Sequence, residues 1–356
     1  TNKKNINTNI FLSKANVIIL SYELIVKEFD RLENQGKTHL TGIILDESAK
    51  IKNPNSIISQ KLHHLAKFFN RKIIMTGTPS ANRPEDYWSQ IYFLDKGKSL
   101  GTDFKAFQAR VKISNKLRND QQERERVEKN VEQIFGLIEE ISIRETKKST
   151  KVDLPEKIYK KIQIDFEPLQ KEIYETALNQ LKTIVLKDDK KVEEDLDDFL
   201  KKIIRLMQIT SNPLLLDKTY SKLSNKLLKT IDLVSNIANQ NEKVIVWTSY
   251  KFNVEYLLEK LSNFNPTFLH GSLDNQTRIK NINNFKKNKD VKVLIATPQS
   301  SKEGLTLVVA NHCIYFDRTL SLDDYLQSQD RIHRIGQTKQ CYYYNLIIKN
   351  SIDDWI

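Results

Sequence analysis

The chain has 356 residues, enough for two ordinary α/β domains with insertions, and its 39% hydrophobic and 29% charged content predicts sizeable cores under a heavily charged surface. No apolar run approaches the roughly eighteen residues a membrane-spanning helix needs, and no signal peptide is visible. The only two cysteines, Cys313 and Cys341, lie in apolar strand-like runs, which excludes a disulfide framework and points to a reducing, cytoplasmic compartment. The formal net charge of +12 is the footprint of a polyanionic partner, most often nucleic acid, in a composition whose Lys, Asn and Ile bias also raises the charge by itself.

Val17-Ile18-Ile19-Leu20 reads as a short buried strand ending at Ser21-Tyr22, and residues 23–32 read as a helix. Gly36-Lys37-Thr38 invites comparison with a phosphate-binding loop. The second glycine of that pattern should stand five positions earlier, where the chain has Arg31, and the tripeptide follows a helix instead of a strand. Gly42-Ile43-Ile44-Leu45 then runs straight into Asp46 and Glu47. An uninterrupted apolar run of this kind reads as a strand buried on both faces. The two carboxylates would stand at its carboxyl end, where open α/β sheets place their ligands. Two buried charges there are costly without a cation, and Mg²⁺ shared with nucleotide phosphates is the usual one. A solvated acidic turn is the plain alternative.

A helix is expected over residues 55–69, followed by a strand, Arg71 to Met75, that ends in Thr76-Gly77-Thr78-Pro79-Ser80. Small hydroxyl residues around a glycine can hydrogen-bond a phosphate, a water or a carboxylate, although a plain strand-to-helix turn is the commoner use of such residues. Residues 82–94 follow as a helix with Tyr87, Trp88, Tyr92 and Phe93 for packing. From about residue 96 to 240 the strand patterns fade. Val127, Val131, Ile134, Ile138 and Ile141 repeat at helical spacing, as do Leu196, Phe199, Leu200, Ile203, Ile204 and Met207. Residues 187–195 read as a solvated charged segment, and residues 157–166 as a strand after Leu154-Pro155.

Beyond Asn241 five strands are expected, over residues 244–247, 267–269, 291–296, 313–316 and 341–348. Helical patterns at 254–261 and 276–285 lie between them. Such alternation implies a parallel sheet with right-handed crossovers. The expected fold class is α/β, with two parallel-sheet lobes and helical insertions between them. The expected domains are residues 1–98, 99–240 and 241–356.

A second charged pole lies far down the chain, at Gln327, Asp330, Arg331, His333, Arg334, Gly336 and Gln337. Hydrolysing a nucleoside triphosphate requires a metal against phosphate charge, a base for the attacking water, and cations for the γ-phosphoryl oxygens. Asp46 suits the metal and Glu47 the base. Arg331 and Arg334 suit the third role: a spacing of three puts them on one helix face, and the guanidinium fork matches phosphate oxygens. Paired arginines on a helix also commonly meet carboxylates, and Asp330 is adjacent. The two poles together point to an ATP site closed across two lobes.

The strings D-E-S-A-K-I-K-N, T-G-T-P-S-A-N, K-E-G-L-T-L and Q-S-Q-D-R-I-H-R-I-G-Q, in this order, resemble the Swi/Snf-type ATPases of helicase superfamily two. The resemblance extends over nearly the whole chain. It implies two RecA-like lobes, ATP with Mg²⁺ as cofactors, and double-stranded DNA as partner, held mostly by its phosphates. It assigns Asp46 to Mg²⁺, Glu47 to water activation, and Thr76, Gly77 and Thr78 to coupling. Gly304 is placed beside the nucleotide, Arg331 and Arg334 as arginine fingers, and Gln327 as their positioner. Ser21, Tyr22, Asn82, Ser249, His270, Gly271 and Thr297 fall in segments that face DNA. The expected activity is an ATP-dependent double-stranded DNA translocase of a bacterial or phage-infected cell. An ATPase-inactive nucleic-acid-binding subunit and the motor of a restriction or defence system are the alternatives.

The chain also departs from the family pattern. Ala49 stands where the first acidic motif often ends in His, and Ser300-Ser301-Lys302-Glu303 replaces a glycine-rich run. The glycine-rich phosphate loop and the adenine-contacting segment find no room upstream of Asp46. The resemblance therefore implies an N-terminally truncated chain that hydrolyses little ATP by itself.

Overall fold

The computed structural model describes residues 16–38, 41–77, 83–112, 120–145, 154–185, 196–301 and 304–356. The chain divides into two compact units, Thr1–Thr146 and Lys147–Ile356.

In the first unit, β1 (Gly42–Asp46) pairs in parallel with β2 (Arg71–Met75), with Asp46 opposite Met75. Helix Ile57–Leu65 connects them. Its N-cap is Ser56, whose hydroxyl accepts from the Ser59 amide, and it turns Leu62 and Leu65 inward. These residues join Leu45, Ile51, Phe69 and Phe93 in one core. Helix Asp86–Asp95 also packs through Trp88 and Ile91 against Phe107, Ile134 and Ile138, which come from helices Phe104–Val111 and Gln121–Glu139.

Several local expectations change here. Residues 17–20 form no strand, and Val17 and Ile19 are 75% and 90% exposed. Among the described residues β1 is covered on one face only. Leu45 is buried, whereas Ile44 and its neighbours Ile73 and Met75 are half exposed. Side chains alternate along a strand, and among the described residues the helices cover only the Ile43–Leu45 side. Gly36-Lys37-Thr38 ends helix Phe29–Thr38 and forms no strand-to-helix loop, as its missing second glycine foretold.

The second unit is built on a six-stranded, all-parallel sheet in the order β3-β8-β7-β4-β6-β5. The strands are β3 (Lys157–Ile164), β4 (Val244–Trp247), β5 (Thr267–Leu269), β6 (Val293–Ala296), β7 (His312–Tyr315) and β8 (Cys341–Ile348). Every residue of β4, β6 and β7 is buried, because both faces are covered. On one face Val244, Val246, Ile295 and Ile314 meet Leu227, Val234, Val254 and Leu257. On the other, Ile245, Trp247, Leu294 and Tyr315 meet Phe285, Leu307 and Ile332. Each fully buried aliphatic side chain contributes roughly 1.5–3 kcal/mol, so the central strands of this sheet are strongly held.

The strand expected over residues 157–166 is Lys157–Ile164, and all eight of its residues pair in register with β8. It belongs to the sheet and forms one edge, where its lysines discourage further pairing. Parallel strands place all their carboxyl ends on one side, so Thr248, His270, Thr297 and Asp317, which follow β4, β5, β6 and β7, share one edge of the sheet. Both cysteines are buried and free, as their apolar surroundings predicted. The charged segment at residues 187–195 lies outside the described residues.

Candidate functional site

The first pole is set by one backbone twist. β1 delivers Asp46 to its carboxyl end, and Glu47 then adopts a left-handed conformation, φ 51° and ψ 52°, before the short 3-10 turn Ser48–Ile51. A non-glycine residue in this region carries strain of about 1–2 kcal/mol, so neighbouring contacts must hold it. Asp46 Oδ1 accepts from the Glu47 amide at 2.9 Å. The Tyr22 hydroxyl donates to the Asp46 carbonyl at 2.7 Å. Beyond the twist, buried Ser48 donates to Gln90 Oε1 at 2.8 Å, and Gln90 Nε2 donates to the Asp86 carbonyl.

Burial, followed by the Asp46 and Glu47 charges, pushes the Tyr22 hydroxyl up to about 12, so it remains a donor at all ordinary pH. Asp46 Oδ2 and both Glu47 oxygens take no hydrogen bond among the described residues, and both side chains are exposed. No group of three acidic, His or Cys side chains that could enclose a metal occurs among the described residues. That donor set fits Mg²⁺, which binds through one or two carboxylates and completes its octahedron with phosphates and water.

The second pole lies just past a helix end. Helix Leu322–Gln329 is capped by Ser321 and stops at Gln329, so Arg331 and Arg334 sit in the turns that follow. The expectation that a helix face aligns them is therefore corrected. Backbone carbonyls align them instead. Arg331 is 6% exposed; its Nε donates to the Gln327 carbonyl at 3.1 Å and its Nη1 to the Leu305 carbonyl at 3.4 Å. Exposed Arg334 donates from Nη1 to the Gly304 carbonyl at 3.1 Å. Gly304 has φ +58°, a conformation glycine adopts without strain. The Leu307 amide donates back to the Arg331 carbonyl at 2.8 Å. Gln337 Nε2 ties the same turn to the carbonyls of Val308, Ala310 and Ile332. Gly304, Gln327, Arg331 and Arg334 are thus brought together, Gln327 through its backbone carbonyl. Asp330 accepts from Lys157 Nζ at 3.3 Å.

The residues expected to face DNA are distributed over both units. Ser21 caps helix Tyr22–Lys27 with its hydroxyl, and the Tyr22 hydroxyl is engaged at the first pole. Ser249, His270, Gly271 and Thr297 gather at the carboxyl edge of the larger sheet. His270 Nδ1 lies 3.0 Å from Ser272 Oγ, and burial together with nearby Lys251 holds its imidazole below the usual range. Thr78 and Asn82 lie outside the described residues. Sequence reasoning assigned no role to three contributors: Gln90 beneath the Glu47 turn, the Leu305 carbonyl, and Asp317, whose carboxylate accepts from Ser211, Thr248, Asn253 and the Ser249 amide. Only Asp317 left a signal, as a lone carboxylate after an apolar strand.

These features define a parallel α/β protein whose polar residues collect at strand ends, the ligand-handling side of such sheets. A family described as SNF2-related domain matches residues 1–215, and a second, described as Helicase conserved C-terminal domain, matches residues 225–336. The chain belongs to the SNF2-related family.

It is 31% identical over 358 residues to YwqA of Bacillus subtilis (strain 168), named a candidate ATP-dependent helicase/translocase; the match covers 96% of this chain and 36% of that protein. It is 24% identical over 347 residues to human ZRANB3, named a DNA annealing helicase and endonuclease, covering 96% of this chain and 31% of that one. Among solved structures, the Sulfolobus solfataricus SWI2/SNF2 ATPase core in complex with dsDNA is 25% identical, with a TM-score of 0.48, covering 98% of this chain and 71% of that one. The chain spans about a third of the length of the curated relatives it matches.

Proposed function

We propose that these residues form the motor of a DNA-dependent ATPase that couples ATP hydrolysis to movement along duplex DNA or to remodelling of protein–DNA complexes. Asp46 would hold Mg²⁺ and Glu47 would orient the attacking water. Arg331 and Arg334 would offset the charge that develops on the γ-phosphoryl oxygens. Gly304 would lie beside the nucleotide, and Thr78 would serve coupling. Ser21, Tyr22, Asn82, Ser249, His270, Gly271 and Thr297 would face duplex phosphates.

One observation supports this reading most. Arg331 and Arg334 both donate to the short backbone segment Gly304-Leu305, and Arg334 makes no ion pair with a carboxylate among the described residues. Carbonyls orient a guanidinium without neutralising it, so its charge remains for a phosphate. The sign of the net charge, +12, agrees with a polyanionic partner.

Duplex-stimulated ATP hydrolysis by the full-length protein tests the reading, with triplex displacement as the readout of movement. Stimulated hydrolysis with triplex displacement is the expected result. Duplex binding without any ATP turnover would instead make it an ATPase-inactive binding subunit, and strand displacement would make it a strand-separating helicase. No G-x-x-x-x-G-K-[ST] string occurs in the 356 residues. Without a backbone cradle for the β- and γ-phosphates, these residues alone should turn over far more slowly than the full-length protein.

A further inference from the structure

The turn that carries Arg331 starts where helix Leu322–Gln329 stops, so the helical ladder no longer fixes its backbone. The Gly304–Ala310 segment holds the turn through the Leu307 amide and Gln337. A second set of bonds comes from β3, the edge strand of the larger sheet, and from the residues just before it.

Gln329 is the hub of this second set and is 1% exposed. Its Oε1 accepts from the Tyr159 hydroxyl at 2.8 Å and from Lys157 Nζ at 3.4 Å. Its backbone carbonyl accepts from the Tyr343 hydroxyl at 3.2 Å and from the amides of Ile332 and His333 at 3.3 and 3.2 Å. Lys157 Nζ also reaches Asp330 Oδ1 at 3.3 Å. His333 Nε2 lies 2.8 Å from the Pro155 carbonyl, which can only accept. Residues 329, 330 and 333 are therefore all bonded to residues 155–159, and Arg331 lies between them.

The strand presents these groups in a fixed register. Lys157 and Tyr159 are two residues apart, so they share one face of β3. Tyr159 pairs with Tyr343 of β8 and stacks on its ring at 5.2 Å, and Lys157 Nζ lies 5.8 Å from the same ring. Burial, followed by nearby Tyr325 and Asp330, holds the Tyr159 hydroxyl above its usual range, so it remains a donor at neutral pH.

Stability alone gives these contacts little to do. Tyr159 is 53% exposed, and the side chains of Lys157 and Asp330 are 25% and 47% exposed. Ion pairs so placed contribute about 0–1 kcal/mol. Aim is far more sensitive, since misplacing a reacting group by about 1 Å can cost about 100-fold in rate.

We propose that Lys157 and Tyr159 are positioning residues for Arg331: through Gln329 and Asp330 they fix the backbone turn from which Arg331 reaches the γ-phosphoryl oxygens. The proposal deepens the motor function argued above and rests on it. It puts the aim of the arginine under the control of the first strand of the second unit.

Duplex-stimulated ATP hydrolysis by the full-length protein, with hydrogen–deuterium exchange at the Ile332 and His333 amides, tests it. Lys157→Met combined with Tyr159→Phe should lower kcat about 10-fold or more and keep KM for ATP within about two-fold of wild type. Both amides should exchange faster, because the carbonyl they bond to is no longer held from β3. Lys161 supplies the control: it lies on the same face of the same strand and pairs with Asp354 at 3.3 Å. Lys161→Met should leave kcat and both amides as in wild type. Tyr159→Phe alone, with a kcat loss of about five-fold for one hydrogen bond, carries the test if the double variant fails to fold. Wild-type kcat or wild-type exchange in the folded variant overturns the proposal, and so does an equal kcat loss in Lys161→Met. If the full-length wild type hydrolyses no ATP, the motor function itself fails and takes the proposal with it.

Discussion

The two charged poles are held in opposite ways. Asp46 and Glu47 stand exposed at the end of a two-stranded sheet and depend on a single left-handed residue, one tyrosine hydroxyl and a Ser48–Gln90 contact. Arg331 and Arg334 follow a helix on a six-stranded sheet whose central strands are covered on both faces, and they are tied by carbonyls from Gly304, Leu305 and Gln327. The difference fits the roles proposed for them. A carboxylate that must hold a solvated metal or orient a water cannot be saturated by protein donors. A guanidinium has five donors and can spend some on carbonyls without losing its charge.

The strongest test of this contrast compares the two arginines. Arg331→Ala and Arg334→Ala should each lower kcat for duplex-stimulated ATP hydrolysis of the full-length protein by about 1,000-fold or more. Their stabilities should separate. Arg331→Ala loses two part-buried hydrogen bonds at a cost of about 1 kcal/mol each, whereas Arg334→Ala at the surface should stay within about 0.5 kcal/mol of wild type in denaturant melts. Equal stability losses would mean that the carbonyl ties hold nothing.

Glu47→Gln should come next, with kcat reduced about 100-fold or more and nucleotide affinity nearly unchanged in equilibrium binding. Surviving turnover would remove Glu47 from the role of base. Gly304→Ala should cost about 1–2 kcal/mol of stability from its positive φ, because among the described residues no atom beyond its chain neighbours lies within 4 Å of the new methyl. A neutral result would show that the Gly304 turn relaxes freely and does not preset Arg334.

The smallest effect is expected at Tyr22→Phe, which removes one hydrogen bond worth about 1 kcal/mol and should lower kcat a few-fold with KM little changed. It has a pH signature of definite sign. The folded-state value of Tyr22 is raised from 10.0 to about 12, so its contribution is complete below 10.0 and is lost as pH rises through about 12. Denaturant melts across that window should show a loss in wild type that is smaller in Tyr22→Phe. Identical pH curves would mean that the hydroxyl does not hold the Asp46 carbonyl.

Much of the larger sheet was legible in the chain itself. Val244–Trp247 falls where an uninterrupted apolar run placed it, because a strand covered on both faces needs apolar residues at every position. The same rule misled at β1. Ile43-Ile44-Leu45 looks identical in sequence, yet Ile44 is 60% exposed, since a run of three cannot report whether one face or two are covered. Residues 17–20 failed for a related reason: β-branched residues favour extension, but a strand exists only where another strand pairs with it.

The sequence by itself determined which chemical groups this protein carries, and in what order. Asp46-Glu47 could be picked out at the end of an apolar run and Arg331 and Arg334 by their spacing, whereas Gly304 came only with the family resemblance. Only the tertiary structure decided how they are aimed. The left-handed turn at Glu47, the carbonyls that hold the arginines past the end of their helix, and the donors gathered on Asp317 all depend on partners distant in the chain. Side-chain identity and spacing encode local periodicity, whereas hydrogen-bond partners are chosen by which distant backbone the packing of the core brings within about 3 Å.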